Sequence, residues 1–437
     1  MSILYDEGQQ AIATESRRVL DARMSKDRLL ALLEQVGEHD RPFWDTAVEQ
    51  GWTALAISEE HGGLGLGLTE LGLVAQACGA ATAGAPFLTF GYGAARALIE
   101  GGDAELAARW LPALASGEAL GTVAFAEGNS ALPPTPTVVF AEGRLHGTKP
   151  AVPGAIKADL AVTWANRGGE PVLVLAELAG AGRIPISSYD NSRLYADLEF
   201  SGTPATVLAE GAAARSLALD VLARMAVVTA HEQVGAAEAL LHIARDYAVT
   251  RKAFGQPIGA FQSIKHRIAE MYGLVEIARA NCIHAAASEG GENFIVAAAD
   301  ARISATEAYD TNARDCVQIH GGIGVMNYST SVWDKNFESS ITIVAENGTI
   351  KVGGQYMEQV EYCHVKDYVM PTLPPANPPN DYGPYKGSAA NHHYIFENVI
   401  ATLQGKGTIT TNALEGLKVV EIIERIYQQR NLSAILG

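Results

Sequence analysis

The chain has 437 residues, 48% apolar and 19% charged, with a formal net charge of −17. That length builds two or three domains with sizeable cores, and so acidic a balance excludes nucleic acid or an anionic membrane as the main partner. A phosphorylated cofactor stays open, because local basic groups and backbone amides bind phosphate whatever the net charge.

Cys78, Cys282, Cys316 and Cys363 are scattered without a CxxC pair, which argues against a disulfide framework or a zinc site. No basic, apolar and small-residue leader opens the chain, and no apolar run reaches the roughly 18 residues of a membrane span. A reduced, soluble, cytoplasmic protein is expected.

Helical spacing covers 5–35, with Ile12, Leu20, Leu29, Leu32 and Leu33, then 43–50 and an Ala-rich 69–100. The glycine-dense loop Glu59-Glu60-His61-Gly62-Gly63-Leu64-Gly65-Leu66-Gly67 lies between the last two. From about Thr122 the texture changes to short β-branched runs at 122–126, 137–140, 160–164, 171–176 and 196–200, cut by Gly, Pro and Asn. This predicts a small antiparallel β-domain. Residues 213–249, 259–288 and 293–319 return to long helices joined by short loops, as in an antiparallel bundle.

Beyond 324, strands are predicted at 337–345 and 349–353 around the turn Glu346-Asn347-Gly348, and again at 359–369. A Pro/Asn/Gly-rich loop at 371–388 and helices at 390–403 and 413–429 close the chain. Asn412 and Glu415 are spaced as a capping box for the last helix. Asn occurs 9 times after residue 325 and 6 times before it, a shift that a fusion explains most simply.

Two segments carry candidate chemistry. Arg251-Lys252-Ala253-Phe254-Gly255-Gln256-Pro257-Ile258, followed by Phe261-Gln262, reads as a helix end, a turn and a new helix near Pro257. Arg251 either offers a planar fork to a phosphate or caps the helix, with Phe254 in the core. Gln318-Ile319-His320-Gly321-Gly322-Ile323-Gly324 either stops a helix or lets backbone amides approach a phosphate.

These segments stand in order with Gly51-Trp52, Ser58 to Gly65, Leu145-His146-Gly147-Thr148-Lys149 and Ala158-Asp159. The set resembles the acyl-CoA dehydrogenase family over about 325 residues. The resemblance implies an α+β multidomain chain: a helical N-terminal domain (1–118), a middle antiparallel β-domain (119–212) and a C-terminal helix bundle (213–325). It implies FAD as cofactor, an acyl-CoA substrate, electrons passed to an electron-transfer flavoprotein, and a homo- or hetero-oligomer at work in fatty acid or steroid side-chain degradation. Arg251 and Phe254 match residues that hold the FAD diphosphate and adenine end, often across a subunit interface. Gln318, Gly321 and Gly322 match the segment touching the ADP half of a neighbour's FAD. Phe125-Ala126-Glu127 occupies the strand bordering the flavin ring. Where relatives carry a tryptophan-containing flavin strand, Pro150-Ala151-Val152-Pro153-Gly154 stands instead.

The family's chemistry removes a thioester α-proton with a carboxylate while the β-hydride passes to the flavin. Many relatives supply the base from a Glu-Gly-Thr segment beyond the Gly-rich turn. Here Glu346-Asn347-Gly348-Thr349 lies near that distance but reads as a hairpin turn. Others place a Glu on the helix before the Arg motif, where this chain has Met225. Asp220, Glu232 and Glu238 share that helix, and nothing singles one out, so no catalytic residue is assigned. Some relatives are heteromers whose partner supplies the base.

Residues 326–437 resemble the C-terminal portion of Gfo/Idh/MocA sugar dehydrogenases, through Tyr328 to Glu338, Glu346 to Gly354, and Asn391-His392-His393 leading into Glu415 to Tyr427. This α/β tail fragment leaves the bundle without its last helix. No GxGxxG follows a strand, so nicotinamide binding is not expected. His364, His392 and His393 lack a carboxylate cluster and read as surface or helix-start residues rather than metal ligands. A bundle short of one helix and strands without their parent sheet predict reduced stability or assembly. The readings are an FAD-dependent acyl-CoA dehydrogenase, a non-catalytic subunit of a heteromeric one, and, from the tail alone, a nicotinamide-dependent sugar dehydrogenase.

Overall fold

In the computed structural model the chain divides into two compact units, Met1–His320 and Gly321–Gly437. The structure describes residues 5–33, 37, 40–83, 87–187, 191–253, 256–320, 341–345, 347–354, 359–373, 379–381, 386–389 and 392–407.

The first unit opens with six helices: α1 (Glu7–Arg23), α2 (Lys26–Leu33), α3 (Arg41–Glu49), α4 (Leu68–Ala80), α5 (Phe87–Glu100) and α6 (Ala104–Ala115). Local caps explain several starts. Asp6 accepts from the Gln9 N–H while Gln9 returns a bond to the Asp6 N–H. Asp40 and Asp103 cap α3 and α6 in the same sense. The helical reading of 5–35 is two helices, because Met24 turns extended. That of 69–100 is also two, with Thr82 at a left-handed φ of 49° after α4. Helix α6 was not foreseen.

The middle strands are β1 (Gly121–Ala124), β2 (Val139–Ala141), β3 (Arg144–Val152), β4 (Leu160–Arg167), β5 (Glu170–Glu177), β6 (Gly182–Pro185) and β7 (Ala196–Glu210). Pairings β4–β5, β5–β7, β7–β3, β3–β2 and β2–β4 return to their start, so the sheet closes on itself. β1 joins parallel to β4, and β6 pairs with β7. Closure buries β4 and β5 along most of their length, which is why they read as continuous apolar runs. The antiparallel expectation needs correction at β4, which pairs parallel with both β1 and β2. β7 is also 15 residues long, where the sequence suggested a run ending at 200.

Three long helices follow: α7 (Gly211–Thr250, 40 residues), α8 (Gln262–Ala287) and α9 (Phe294–Ile319). At about 1.5 Å per residue α7 is roughly 60 Å long and takes part in cores at both of its ends. α4 crosses it backbone to backbone. A Cβ added at Gly79 would overlap the Glu232 carbonyl, and one at Gly235 would overlap that of Gln76. Between α7 and α8 lies the two-residue pair β8 (Lys252–Ala253) and β9 (Gln256–Pro257), then a 3-10 turn, so α8 begins at Gln262 rather than near Pro257.

The second unit contains an antiparallel sheet of β10 (Ile341–Ala345), β11 (Gly348–Gly353) and β12 (Gln359–Val365). Ala345 faces Gly348, so the expected hairpin turn forms there. β13 (Pro379–Asp381) and β14 (Lys386–Ala389) pair where only a loop was expected, and α10 (His392–Leu403) follows. The predicted helix at 413–429, with Asn412 and Glu415, lies outside the described residues, as do Tyr328 to Glu338 and Glu346. Among the described residues no helix is long and apolar enough to cross a membrane.

Candidate functional site

Arg251 ends α7. Its N–H donates to the Tyr247 carbonyl at 2.8 Å, and its own carbonyl accepts from the Ile258 N–H at 2.8 Å, so the chain folds straight back into the β8–β9 pair. The side chain is exposed. Among the described residues its guanidinium has no partner, unlike most arginines of this unit. At the end of α9, Gln318 is also exposed, while Ile319 is buried beside Ala244 and Ala248. The ring of Tyr247 stacks on His320, with centroids 4.1 Å apart and planes 24° from parallel. That stack brings the ends of α7 and α9 together, and with them Arg251 and Gln318. Asn312 ties the bundle nearby by donating to the carbonyls of Ala237 at 3.0 Å and Met271 at 3.4 Å. Phe254, Gly321 and Gly322 lie outside the described residues.

At the β-domain face, Phe125-Ala126-Glu127 lies just past β1 rather than in it. The strand gives out because Glu127 closes a tight bridge with Ser130 and turns its carboxylate inward. There Glu127 Oε1 meets Lys149 Nζ at 2.5 Å, and Oε2 accepts the Thr137 N–H at 2.8 Å. Lys149 is fully buried and also donates to the Phe125 carbonyl at 3.1 Å. Burial pushes its ammonium down to about 8, against the opposing pull of Glu127. Burial would raise Glu127, but Lys149 and the Thr137 amide together hold it below the usual carboxylate value. The pair was not foreseen as a functional unit; a lysine inside a strand motif is the one sequence signal for it.

Pro150 and Ala151 form a bulge between the Lys149–Leu198 and Val152–Ala196 pairs. Ala151 sits at a φ of 47°, sparsely populated for a side chain with a Cβ, and its N–H donates to Asp197 Oδ1 at 2.8 Å. The Pro153 carbonyl is taken by the Thr122 hydroxyl at 2.6 Å. This segment therefore offers a flavin ring no side-chain donor. The chain fits FAD best at the diphosphate end, where an exposed guanidinium and an exposed amide share one end of the bundle.

Met225, at the position of the helix base in some relatives, is buried against Gly93. The acids of α7 are all paired. Asp220 meets Arg224 at 2.7 Å, Glu232 meets Arg193 at 2.7 Å, Glu238 meets Arg17 at 2.6 Å and Arg279 at 2.8 Å, and Asp246 meets Arg245 at 2.8 Å. Arg224, beside Met225, is buried and also pairs with Glu289. None of these carboxylates is an idle base.

Comparison with known proteins agrees with this architecture. The N-terminal domain model of acyl-CoA dehydrogenases matches residues 6–118 and the C-terminal domain model residues 215–338. The second match runs past the boundary at 325 expected from sequence, and it takes in 328–338, a stretch that had been assigned to the tail. Acyl-CoA dehydrogenase IpdE2 of Mycobacterium tuberculosis is 31% identical over 288 residues, 66% of this chain and 77% of its own length. The ChsE4-ChsE5 complex of M. tuberculosis superposes at a TM-score of 0.67 with 25% identity, covering 74% of this chain and 89% of that one. A variant of the Tcur3481-Tcur3483 steroid ACAD gives 0.64 and 27%, covering 72% and 88%. The chain belongs to the acyl-CoA dehydrogenase family, a family of FAD-dependent oxidoreductases.

Proposed function

We propose that this chain serves the FAD-dependent α,β-dehydrogenation of an acyl-CoA thioester in the cytoplasm, with electrons passed to an electron-transfer flavoprotein. The observation that carries the reading is the Tyr247–His320 stack at one end of the bundle, where Arg251 and Gln318 are exposed and, among the described residues, their side chains have no partner. FAD, when bound, supplies the acceptor for the β-hydride. The chain's own part is to hold the nucleotide and to brace the segment past β1 through Lys149 and Glu127. Exposed apolar residues on the bundle (Ile243, Val249, Ile277, Val296, Ile303 and Val317) suit an oligomer.

A second reading is favoured by the paired acids of α7: the chain is the subunit of a heteromer that lacks a base, and a partner chain supplies it. The names of the ChsE4-ChsE5 and Tcur3481-Tcur3483 pairs support it. The part of the tail beyond 338 keeps its resemblance to Gfo/Idh/MocA dehydrogenases as a proposal, with no dinucleotide turn to make it an NAD enzyme. Purification tests both readings. A yellow flavin band with acyl-CoA turnover by the chain alone supports the first, and turnover only with a co-purified partner supports the second. A colourless protein with no affinity for added FAD sinks both.

A further inference from the structure

One cavity in the first unit is lined by several charged side chains. It measures about 1400 Å³ counted out to its open mouth. It begins at Thr229, whose hydroxyl donates to the Met225 carbonyl at 2.9 Å, and it runs down α7 past Glu232 and Gln233, with Thr89 and Phe90 of α5 on another wall. The stretch of α7 that lines it, Thr229 to Ala236, is about 10 Å along the helix axis. That suits a medium-length acyl chain or a fused ring pair and exceeds a short-chain acyl group.

Among the described residues, four charged side chains line the cavity: Asp40, Arg193, Glu232 and Arg302. Asp40 is spent on Arg28, and Glu232 on Arg193. Arg302 has no carboxylate of its own among the described residues. It donates to the Gln233 side-chain oxygen and to the Thr306 hydroxyl, both neutral acceptors. Glu232 is felt there only at a distance, and burial outweighs it, holding the guanidinium below its ordinary value. Among the described residues Arg302, on the far wall of the cavity, therefore meets neutral acceptors and no carboxylate. A partly buried cation without a counter-ion is costly unless something else neutralises it.

We propose that this cavity receives the acyl part of the CoA thioester and that the acyl group ends in a carboxylate, which pairs with Arg302 on the cavity wall. This rests on the dehydrogenase reading and adds the substrate class: the thioester of a dicarboxylic acid rather than of a simple fatty acid.

The test is a calorimetric titration of the full chain, together with any subunit that co-purifies, using octanoyl-CoA and suberyl-CoA, the mono-CoA thioester of the matching diacid. The wild-type protein should prefer suberyl-CoA by roughly tenfold or more, the scale of one charge-assisted bond. Arg302→Met should bring the ratio close to unity, and Arg302→Lys should keep most of it. Equal wild-type affinities, or a preference that survives Arg302→Met, overturn the inference. If Arg302→Met does not fold, the wild-type ratio and Arg302→Lys still decide. Binding of octanoyl-CoA without preference leaves the dehydrogenase reading standing, whereas no binding of either thioester removes both.

Discussion

Tyr247 lies one helical turn before Arg251 and stacks on His320, two residues after Gln318, with ring centroids 4.1 Å apart. The contact is worth about 1 kcal/mol beyond its buried area, and its larger effect is positional. Arg251→Met should weaken FAD retention by roughly tenfold or more with little change in melting temperature, since the side chain is exposed. Tyr247→Leu should lower both. Flavin absorbance after gel filtration and a thermal melt separate the two. Unchanged FAD affinity in Arg251→Met would remove the assigned role.

Lys149→Met leaves Glu127 with one exposed tenth of its side chain and no cation. A loss of about 3 kcal/mol is expected by urea unfolding. The double variant Lys149→Met, Glu127→Gln should recover part of it, because the two residues couple. Additive losses would show that the pair does not act as a unit.

His231 is fully buried between α4 and α7, and burial pushes its imidazole down to about 4 from 6.5. The unfolded chain therefore takes up a proton at higher pH than the folded one. Stability from this group is complete above about pH 6.5 and falls as pH drops toward 4, by up to about 3 kcal/mol. His231→Gln should flatten the melting temperature across that window relative to wild type. A variant curve parallel to the wild-type one counts against it.

Glu238→Gln removes the carboxylate between Arg17 and Arg279, and Arg279 is four-fifths buried. Stability should fall by about 3 kcal/mol, while turnover with acyl-CoA and an electron-acceptor dye stays within about twofold, below the 10²–10⁴-fold effect of losing a general base. A collapse of turnover in a folded variant would make Glu238 the base.

If the part beyond 338 is foreign to the family, as proposed, a further deficit follows. FAD content and yield of the assembled oligomer should lie below those of an intact relative purified alongside. Equal values would count against the proposal of a foreign tail.

The helices α7, α8 and α9 were legible because long apolar-periodic runs fix both type and extent, and Arg251 and Gln318 stood out because each ends such a run. Their meeting was not legible. It depends on Tyr247 and His320, which no local pattern marks as partners. The acids of α7 posed the same difficulty. Glu232 finds Arg193 across the β-domain loop and Glu238 finds Arg17 in the first helix, so spacing along α7 could not show them as paired. The closed sheet was only half readable, because β3 and β7 pair from Arg144–Pro204 to Val152–Ala196. β3 itself, buried only at Leu145, Lys149 and Val152 and carrying glycine and proline, gave no alternating strand signal.

The two glycines where α4 meets α7 bear on how the protein can be re-engineered. With Gly79 set against the Glu232 carbonyl and Gly235 against that of Gln76, a single methyl group at either place forces the two rods apart. The leading helical domain is consequently no interchangeable cassette. A graft from a relative must bring both sides of this seam.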